Sequence, residues 1–469
     1  MNSTGTELSI IPMMKNAIRT LSGVTPVAVL TKPFPCPGNC IYCPHEENVP
    51  VSYLAQEPAV MRAITNRYNP FDQVSYRLNQ YIKTGHITQK VELIILGGSW
   101  SSYPFEYRKE FVKSCLDALN KKKSESFEEA ASINEKAEHR MVGLSIETRP
   151  DLITPKEISR MRNLGVTKVE LGVQTTDEEI LKLIRRGHGV KEVKKATQLL
   201  KDAGFKVLYH IMPGLPGASP KKDLEVFDIL FQNSAFQPDM LKIYPCVVVS
   251  QTELYHWFKE GKYVPYANSE LLDLLIKIKG KIPPYVRLMR LFRDIPANYI
   301  QGGSKKSNLR EIIREELERR GLACQCIRCR EIRNQTPEKN LTLKRINYEA
   351  SQGREIFLEY IDSQDRIYAL LRLRIPSYVF KKSESLFKVL GNSSIIREIH
   401  VYGVSTPLSN KGKVQHRGLG KKLIEKAQEI TQREFGLGKM AVISGIGVRE
   451  YYRKLGFKLQ ETYMVKELK

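Results

Sequence analysis

Apolar and polar positions along the first half of the chain fall into short, almost continuously apolar runs, separated by stretches whose apolar residues return every three or four positions. PVAVLT (26–31), VELIILGG (91–98), MVGLSIETRP (141–150), KVELGVQT (168–175), KVLYHIMPGLPG (206–217) and MLKIYPCVVV (240–249) read as buried parallel strands. Helical spacing predicts helices over 72–84, 104–122, 154–164, 177–185, 190–203 and 220–232, with a charged helical insertion over 121–140. Parallel strands joined by helices imply right-handed crossovers. Six such units predict an α/β fold built on a partial (β/α)6 barrel, its site at the carboxyl ends of the strands.

After residue 271 the pattern becomes irregular: a helix to about 281, the segment PPYVRLMRLFRDIPANYI, and a charged helix over 308–320. Beyond 336 the period shortens to that of antiparallel strands, at 355–362, 366–375 and 395–404. An amphipathic helix (415–435), a strand (439–445), a short helix (448–456) and the closing FKLQETYMVKEL follow. This order predicts a second, α+β domain.

A length of 469 residues fits two or three domains. Hydrophobic residues at 42% against 27% charged describe a globular chain and exclude a disordered one. No apolar run is long enough to cross a membrane, and MNSTGTELSIIPMMKNAIRT lacks a basic stretch followed by an apolar core, so a cytoplasmic location away from membranes is expected. The net charge of +23 is spread through the chain: residues 277–293 hold six Lys or Arg and no acid, and 182–206 hold eight basic residues against Glu192 and Asp202. A polyanion, and nucleic acid in particular, is the expected partner.

Six of the eight cysteines stand as triplets, 36/40/43 and 324/326/329, with Cys115 and Cys246 apart, which points to metal ligation in a reducing compartment. In KPFPCPGNCIYCP, residues 32–44, Cys36, Cys40 and Cys43 are spaced C-x3-C-x2-C on a proline-stiffened loop. A [4Fe–4S] cluster ordinarily takes four cysteines, so three leave one iron open to another ligand. The alternative is a structural zinc, with His45 near enough to complete it. Strand ends at the same rim are polar or glycine-rich: Gly97, Gly98 and Ser99; Glu147 and Arg149; Gln174; His210 and Met212. Cys324, Cys326 and Cys329 in CQCIRC read as a zinc triplet whose fourth ligand the sequence does not identify, with a second cluster as the alternative. Gln415, Arg417, Gly418, Leu419 and Gly420 open a helix after a strand, where free backbone N–H groups suit a pyrophosphate.

The cysteine loop, ending the first strand of a strand–helix series, resembles the radical S-adenosylmethionine (SAM) enzymes. The strand, glycine loop, helix, strand, helix, strand order resembles the GNAT acyltransferases. Together with EPAVMRAITNRY, IETRPD, VELGVQ, RRGH, MPGLPG, LKIYP, RDIPA, REIHVYG and GVREYYRKLGF, the chain resembles, from residue 22 to 468, the family of the Elongator catalytic subunit. Its bacterial and archaeal relatives are the tRNA uridine(34) acetyltransferases, or carboxymethyluridine synthases. The short cysteine spacing is similar to the bacterial members and speaks against other Elongator subunits as partners.

The resemblance implies a tail over 1–20, a radical SAM domain over 21–305, a zinc-binding linker over 306–340 and a GNAT domain over 341–469. It implies carboxymethylation of tRNA uridine 34 at C5, with acetyl-CoA as carbon source, a 5′-deoxyadenosyl radical made from SAM, and an external electron donor. Cys36, Cys40 and Cys43 would hold the cluster, with Gly97, Gly98, Glu147, Arg149 and Gln174 beside SAM. Lys90, Glu398, Ile399, His400, Val401, Leu419, Gly420, Lys421 and Tyr452 would contact acetyl-CoA, Lys90 reaching across from the radical domain and Tyr452 donating to the departing thiolate. A protein lysine acetyltransferase with a structural iron–sulfur domain is the alternative function. The sequence leaves the oligomeric state open, a homodimer included.

Overall fold

The computed structural model describes residues 23–306, 308–404, 406, 412, 414–415 and 417–468; the expected tail over 1–20 lies outside them. Six parallel strands form an open, curled sheet in sequence order: β1 (Thr25–Leu30), β2 (Lys90–Leu96), β3 (Arg140–Thr148), β4 (Lys168–Gln174), β5 (Lys206–Ile211) and β6 (Met240–Ile243). Helices between them cover the outer face: Val27 and Val29 pack with Val74, Leu78 and Tyr81, while Val91, Leu93 and Ile95 join a core that includes Phe111 and Leu116. The run 240–249 is not one strand. It breaks after Ile243, and β7 (Val248–Val249) leaves the barrel.

A seventh barrel strand, β8 (Arg287–Arg290), follows β6 in the sheet, and β9 (Ile300–Gly302) pairs antiparallel with β7. The irregular pattern of this segment hid β8 because its ends are arginines. Arg287 is nonetheless buried, paired with Glu331 and bonded to the Tyr402 hydroxyl at 3.0 Å.

The second sheet is β10 (Thr342–Ala350), β11 (Gly353–Ile361), β12 (Ile367–Ile375), β13 (Ser393–Val401), β14 (Lys439–Val442), β15 (Lys458–Gln460) and β16 (Tyr463–Glu467), in spatial order 10-11-12-13-14-16-15. β10 had no apolar period to announce it, since it is an edge strand with most positions part-exposed or exposed. All pairs are antiparallel except β13 with β14, which stay together only from Ser393 to Ile396. Beyond Ile396 the two diverge. A bulge opposite Arg372 and Leu373 leaves Arg397 as the extra residue of β13.

The second sheet docks on the amino ends of the barrel strands, opposite the rim that bears the cysteine loop. Gly445 and Gly447 admit no side chain there, because a Cβ at either would lie 2.3 Å from the Val142 carbonyl or 2.5 Å from Arg140 Cβ. Between the two sheets lies a buried ion network. Asp239, just before β6, accepts from Arg397 at 2.5 and 2.8 Å and from Lys201 at 3.2 Å. Glu355 of β11 accepts from Arg397 at 3.0 Å and from Arg374 at 2.9 Å, and Arg374 reaches Asp202 at 2.6 Å. Burial alone would raise these carboxyls, yet Arg397 and Lys201 hold both Asp239 and Glu355 below their usual range.

Asp239→Asn removes the buried carboxylate that Arg397 and Lys201 share with Arg372, 3.7 Å away, so it is expected to cost about 3–5 kcal/mol in urea unfolding. Arg345→Ala, which removes a surface pair with Glu434, should cost below about 1 kcal/mol. With folded pKa values depressed, the network's contribution is full above about pH 4 and is lost as pH falls below it.

Candidate active site

Residues 31–50 between β1 and the covering loops form no regular secondary structure beyond isolated turns, and backbone bonds fix the cysteine loop from several sides. Cys43 N donates to Cys40 O at 3.0 Å, Ile41 N to Ile184 O at 3.3 Å and Leu254 N to Ile41 O at 2.9 Å. Two arginines complete the cradle. Arg186 Nη1 donates to Cys40 Sγ at 3.4 Å, and its Nη2 to the Gly172 carbonyl at 2.6 Å. Arg149, paired with Asp151, passes so close to Gly38 that a Cβ there would lie 2.1 Å from its Nη1. The Cys43 thiol donating to Cys40, and then Arg186, draw the Cys40 thiol down to about 5, so the loop carries a thiolate at neutral pH.

Buried polar atoms without a partner gather at this rim: Arg149 Nη1, Thr148 Oγ1, Gln174 Oε1, His188 Nε2 and the Tyr42 hydroxyl. Such atoms are costly unless something pairs with them. Gln174 also stands at φ +72°, a left-handed conformation that a glutamine adopts only at a cost. Three soft donors with unpaired polar atoms beside them fit a thiolate-held cluster carrying a polar ligand.

Below the rim, the inner face of the barrel is charged. Lys242 Nζ lies 3.1 Å from Glu147 and pairs with Glu170; His210 Nε2 is 3.0 Å from Glu170; Ser145 donates to Glu170 at 3.0 Å; Lys168 meets Glu92 at 2.6 Å. Tyr53 closes the top, donating to Glu147 at 2.7 Å, with Arg293 bound to Glu57 and 5.0 Å over the Tyr53 ring. Thus Glu147 and His210 belong to this column, and Arg149 and Gln174 to the cysteine rim. Glu170, Lys242, Lys168, Tyr53 and Arg186 were missed from sequence. For Lys168, Glu170 and Lys242 the available signal was a charge inside an apolar strand, as in KVELGVQ and MLKI; Tyr53 and Arg186 lie outside the strands and carry no such signal.

In the second sheet, the divergence of β13 and β14 leaves Glu398, Ile399, His400 and Val401 without a strand partner on the β14 side. Burial opposes its charge, but Lys206 at 3.5 Å and Arg372 at 2.8 Å hold the Glu398 carboxyl down at about 2. Burial and then Arg287 push His400 to about 4, so it is neutral at pH 7. Gly418, at φ +84°, precedes the helix Leu419–Arg433, whose first N–H groups have no intrahelical acceptor. Gln415 is buried and donates to the Val401 carbonyl at 3.3 Å, while Arg417 donates to the Gly412 carbonyl. Lys421 is exposed near Glu425.

Tyr452 packs against Phe457 in the sheet core, and burial raises its phenol far above neutral pH. Its neighbour Tyr451 is 41% exposed, and its hydroxyl lies 3.0 Å from where a Cβ on Gly420 would stand, over the start of the glycine helix. Lys90, first residue of β2 and level with Arg140, sits on the docked side of the barrel, where burial lowers its pKa. Between the two sheets, the Cys324, Cys326 and Cys329 sulfurs all lie within 4.8 Å of one another. That spread fits ligands of one tetrahedral ion, and no fourth His, Cys, Asp or Glu ligand joins them among the described residues.

Comparison with known proteins defines the class first. The Radical SAM superfamily matches residues 35–230 and the Radical_SAM C-terminal domain matches 238–319, so the open barrel with its cysteine rim is that of a radical SAM protein. The chain is 49% identical to the tRNA uridine(34) acetyltransferase of Dehalococcoides mccartyi (strain CBDB1), covering 97% of this chain and all of that one. It is 42% identical to Elongator complex protein 3 of Mus musculus, over 98% of this chain and 87% of the relative. The archaeal Methanocaldococcus infernus Elp3 with an N-terminal deletion superposes with a TM-score of 0.85 at 43% identity, covering 96% of this chain and all of that one. The chain belongs to the family of these tRNA uridine(34) acetyltransferases and Elongator proteins.

Gly38→Ala forces Arg149 out of its path. It is expected to lower iron bound per chain by more than about half, with the melting temperature nearly unchanged because the loop lies outside the cores; iron analysis after anaerobic reconstitution checks this.

Proposed function

We propose that the protein carboxymethylates C5 of uridine 34 in tRNA, taking the two carbons from acetyl-CoA. The observation that carries this reading is 49% identity, over nearly the whole length, to a protein named tRNA uridine(34) acetyltransferase, on a chain that joins a cysteine rim to a second sheet with a diverging parallel pair. A side-chain base could take a proton from the acetyl methyl only by forming a nucleophilic enolate, and uracil C5 is itself a nucleophilic carbon, so joining the two calls for removal of a hydrogen atom to leave a carbon radical. A [4Fe–4S] cluster on Cys36, Cys40 and Cys43 with SAM bound would supply a carbon radical able to take that hydrogen.

The chain's residues do the holding. Arg149, Gln174 and Glu147, with the backbone of Gly97 and Gly98, are the groups we assign to SAM. The Gly418–Lys421 N–H groups, with Gln415 and Arg417 shaping the loop, take the pyrophosphate of acetyl-CoA, and the free edge of Glu398–Val401 takes its amides. Lys90 supplies a cation from the barrel. Tyr452 is kept as the phenol for the departing thiolate, protonated because burial raises it, and Tyr451, whose hydroxyl stands over the start of the glycine helix, is the second phenol beside that loop. The +23 charge suits tRNA as partner and suits the basic tail of a protein substrate poorly.

The reading keeps the domains at 21–305, 306–340 and 341–469, an external electron donor and a cytoplasmic location. No helix among the described residues is long and apolar enough to cross a membrane. Zinc on Cys324, Cys326 and Cys329 braces the linker, where the buried Ile327 donates to the Val286 carbonyl at 3.0 Å.

Two experiments test these assignments. Acetyl-CoA deuterated in the methyl, incubated with reduced protein, SAM and tRNA, should yield deuterated 5′-deoxyadenosine; Cys40→Ser should abolish it. Deuterium that stays wholly in an acetylated product would instead support a lysine or tRNA acetyltransferase. For the linker, Cys326→Ala is expected to release bound zinc and lower the melting temperature by several degrees or more, as loss of a structural ion does. Zinc content unchanged in that variant would refute the site.

A further inference from the structure

Arg186 stands in the turn between the helices Glu178–Leu183 and Val190–Asp202, at the rim that bears the cysteine loop, and is buried. The same turn holds that loop, since Ile41 N donates to the Ile184 carbonyl. The guanidinium is aimed at two groups. Its Nε and Nη2 converge on the Gly172 carbonyl at 3.2 and 2.6 Å, which leaves Nη1 directed at Cys40 Sγ, 3.4 Å away. Gly172, inside β4, makes room for this arrangement: a Cβ there would lie 2.5 Å from Nη2.

The charge on Arg186 meets no carboxylate among the described residues. Neighbouring cations do meet one: Arg149 pairs with Asp151 at 3.0 Å and Arg185 with Glu253 at 2.7 Å. Arg374 and Arg397, buried at the boundary between the sheets, each meet two. The groups that act on the Arg186 charge are the Cys40 and Cys43 thiols and the Tyr42 hydroxyl. Around them Ile41, Ile180, Leu181, Ile184, Leu215 and Leu254 form a buried apolar cluster with Cys40, so little water screens the guanidinium from the sulfur. A buried cation without a counter-charge is costly. Here the counter-charge comes from whatever the three sulfurs hold.

We infer that Arg186 raises the reduction potential of the iron–sulfur cluster on Cys36, Cys40 and Cys43, so that the external donor can deliver its electron. This rests on the cluster reading above and adds how the chain makes that cluster reducible. Reduction adds negative charge to a group that three thiolates already make anionic, and apolar surroundings oppose the addition. A buried cation with an N–H on one of the sulfurs favours the reduced form over the oxidised one, which moves the potential up. Cys36, by comparison, accepts only from the uncharged Gly38 N at 3.4 Å. Arg186 acts through Cys40 and takes no part in making or breaking bonds, so it is a positioning residue for charge.

The test is a redox titration followed by EPR on the full chain after anaerobic reconstitution, with iron and sulfide counted on each preparation. Arg186→Met keeps the bulk and removes the charge. Its reduction equilibrium is expected to be about tenfold less favourable, a fall of about 59 mV for one electron. Arg186→Lys keeps the charge and should recover about half of that fall or more. Gly172→Ala leaves Arg186 in the chain but pushes the guanidinium out of its place, and should lower the potential by a smaller amount. Iron content and melting temperature near those of the parent separate this role from a merely structural one. Arg186→Met at the parent's potential with full iron overturns the inference, and so does an Arg186→Lys that falls as far as Arg186→Met. If Arg186→Met holds no iron, Gly172→Ala decides: a lowered potential supports the inference and an unchanged one overturns it. A parent that binds no iron, or gives no EPR signal on reduction, would instead sink the cluster reading itself.

Discussion

Asp239 and Arg397 meet where no water reaches, one from the turn before a barrel strand and the other from a bulge in the second sheet. Each is held further by Lys201 and Glu355, which come from opposite sides of the same boundary. Removing a buried ion pair from water is expensive, and only close geometry with every partner in place offsets the cost. The consequence is specificity of placement. An apolar boundary alone tolerates sliding, whereas a bidentate carboxylate–guanidinium pair permits one register. The glycines at 445 and 447, with no room for a Cβ, impose the same register through shape.

That register decides what each end of the barrel can do. With the second sheet on the amino ends, the carboxyl ends remain for the cysteine loop, whose own supports, Arg149 and Arg186, come from the residue just past β3 and from the turn before the helix Val190–Asp202. The inner face between them is divided by chemistry. From β2 to β6 it is a set of paired charges, Glu92 with Lys168 among them, that stiffen the barrel and hold Glu147 toward the rim; on β1 the inward positions Pro26 and Ala28 are uncharged and part-exposed. An ordinary hydrocarbon lumen would hold no such charges.

Much of this architecture was legible in the chain. Near-continuous apolar strands alternating with amphipathic helices announce a parallel sheet because both faces of such strands are covered, and a change to period 2 announces strands with one wet face. Three cysteines within eight positions carry their meaning locally, since ligation depends on short spacing. β8 and β10 were not legible: one has arginines where a strand would show apolar ends, and the other is an edge strand with little to bury. Nor was the difference between Tyr451 and Tyr452. Adjacent residues on a short helix face different ways, and only the packed sheet shows that Tyr452 enters the core while the Tyr451 hydroxyl reaches the glycine loop.

The sequence by itself thus determined most of the elements and their order, the two cysteine triplets and the glycine loop, because each depends on residues close together along the chain. Only the tertiary structure decided the partners of the buried charges. Glu92, Lys168, Glu170 and Lys242 look like isolated polar intrusions in apolar strands, and become a column only when curvature of the sheet brings their strands around one axis. It also decided that Lys90 and Gly97 stand at opposite ends of one strand with the second sheet beside only the first. That relation depends on a contact between residue 239 and residue 397, and no local pattern encodes a pairing across so long a stretch of chain.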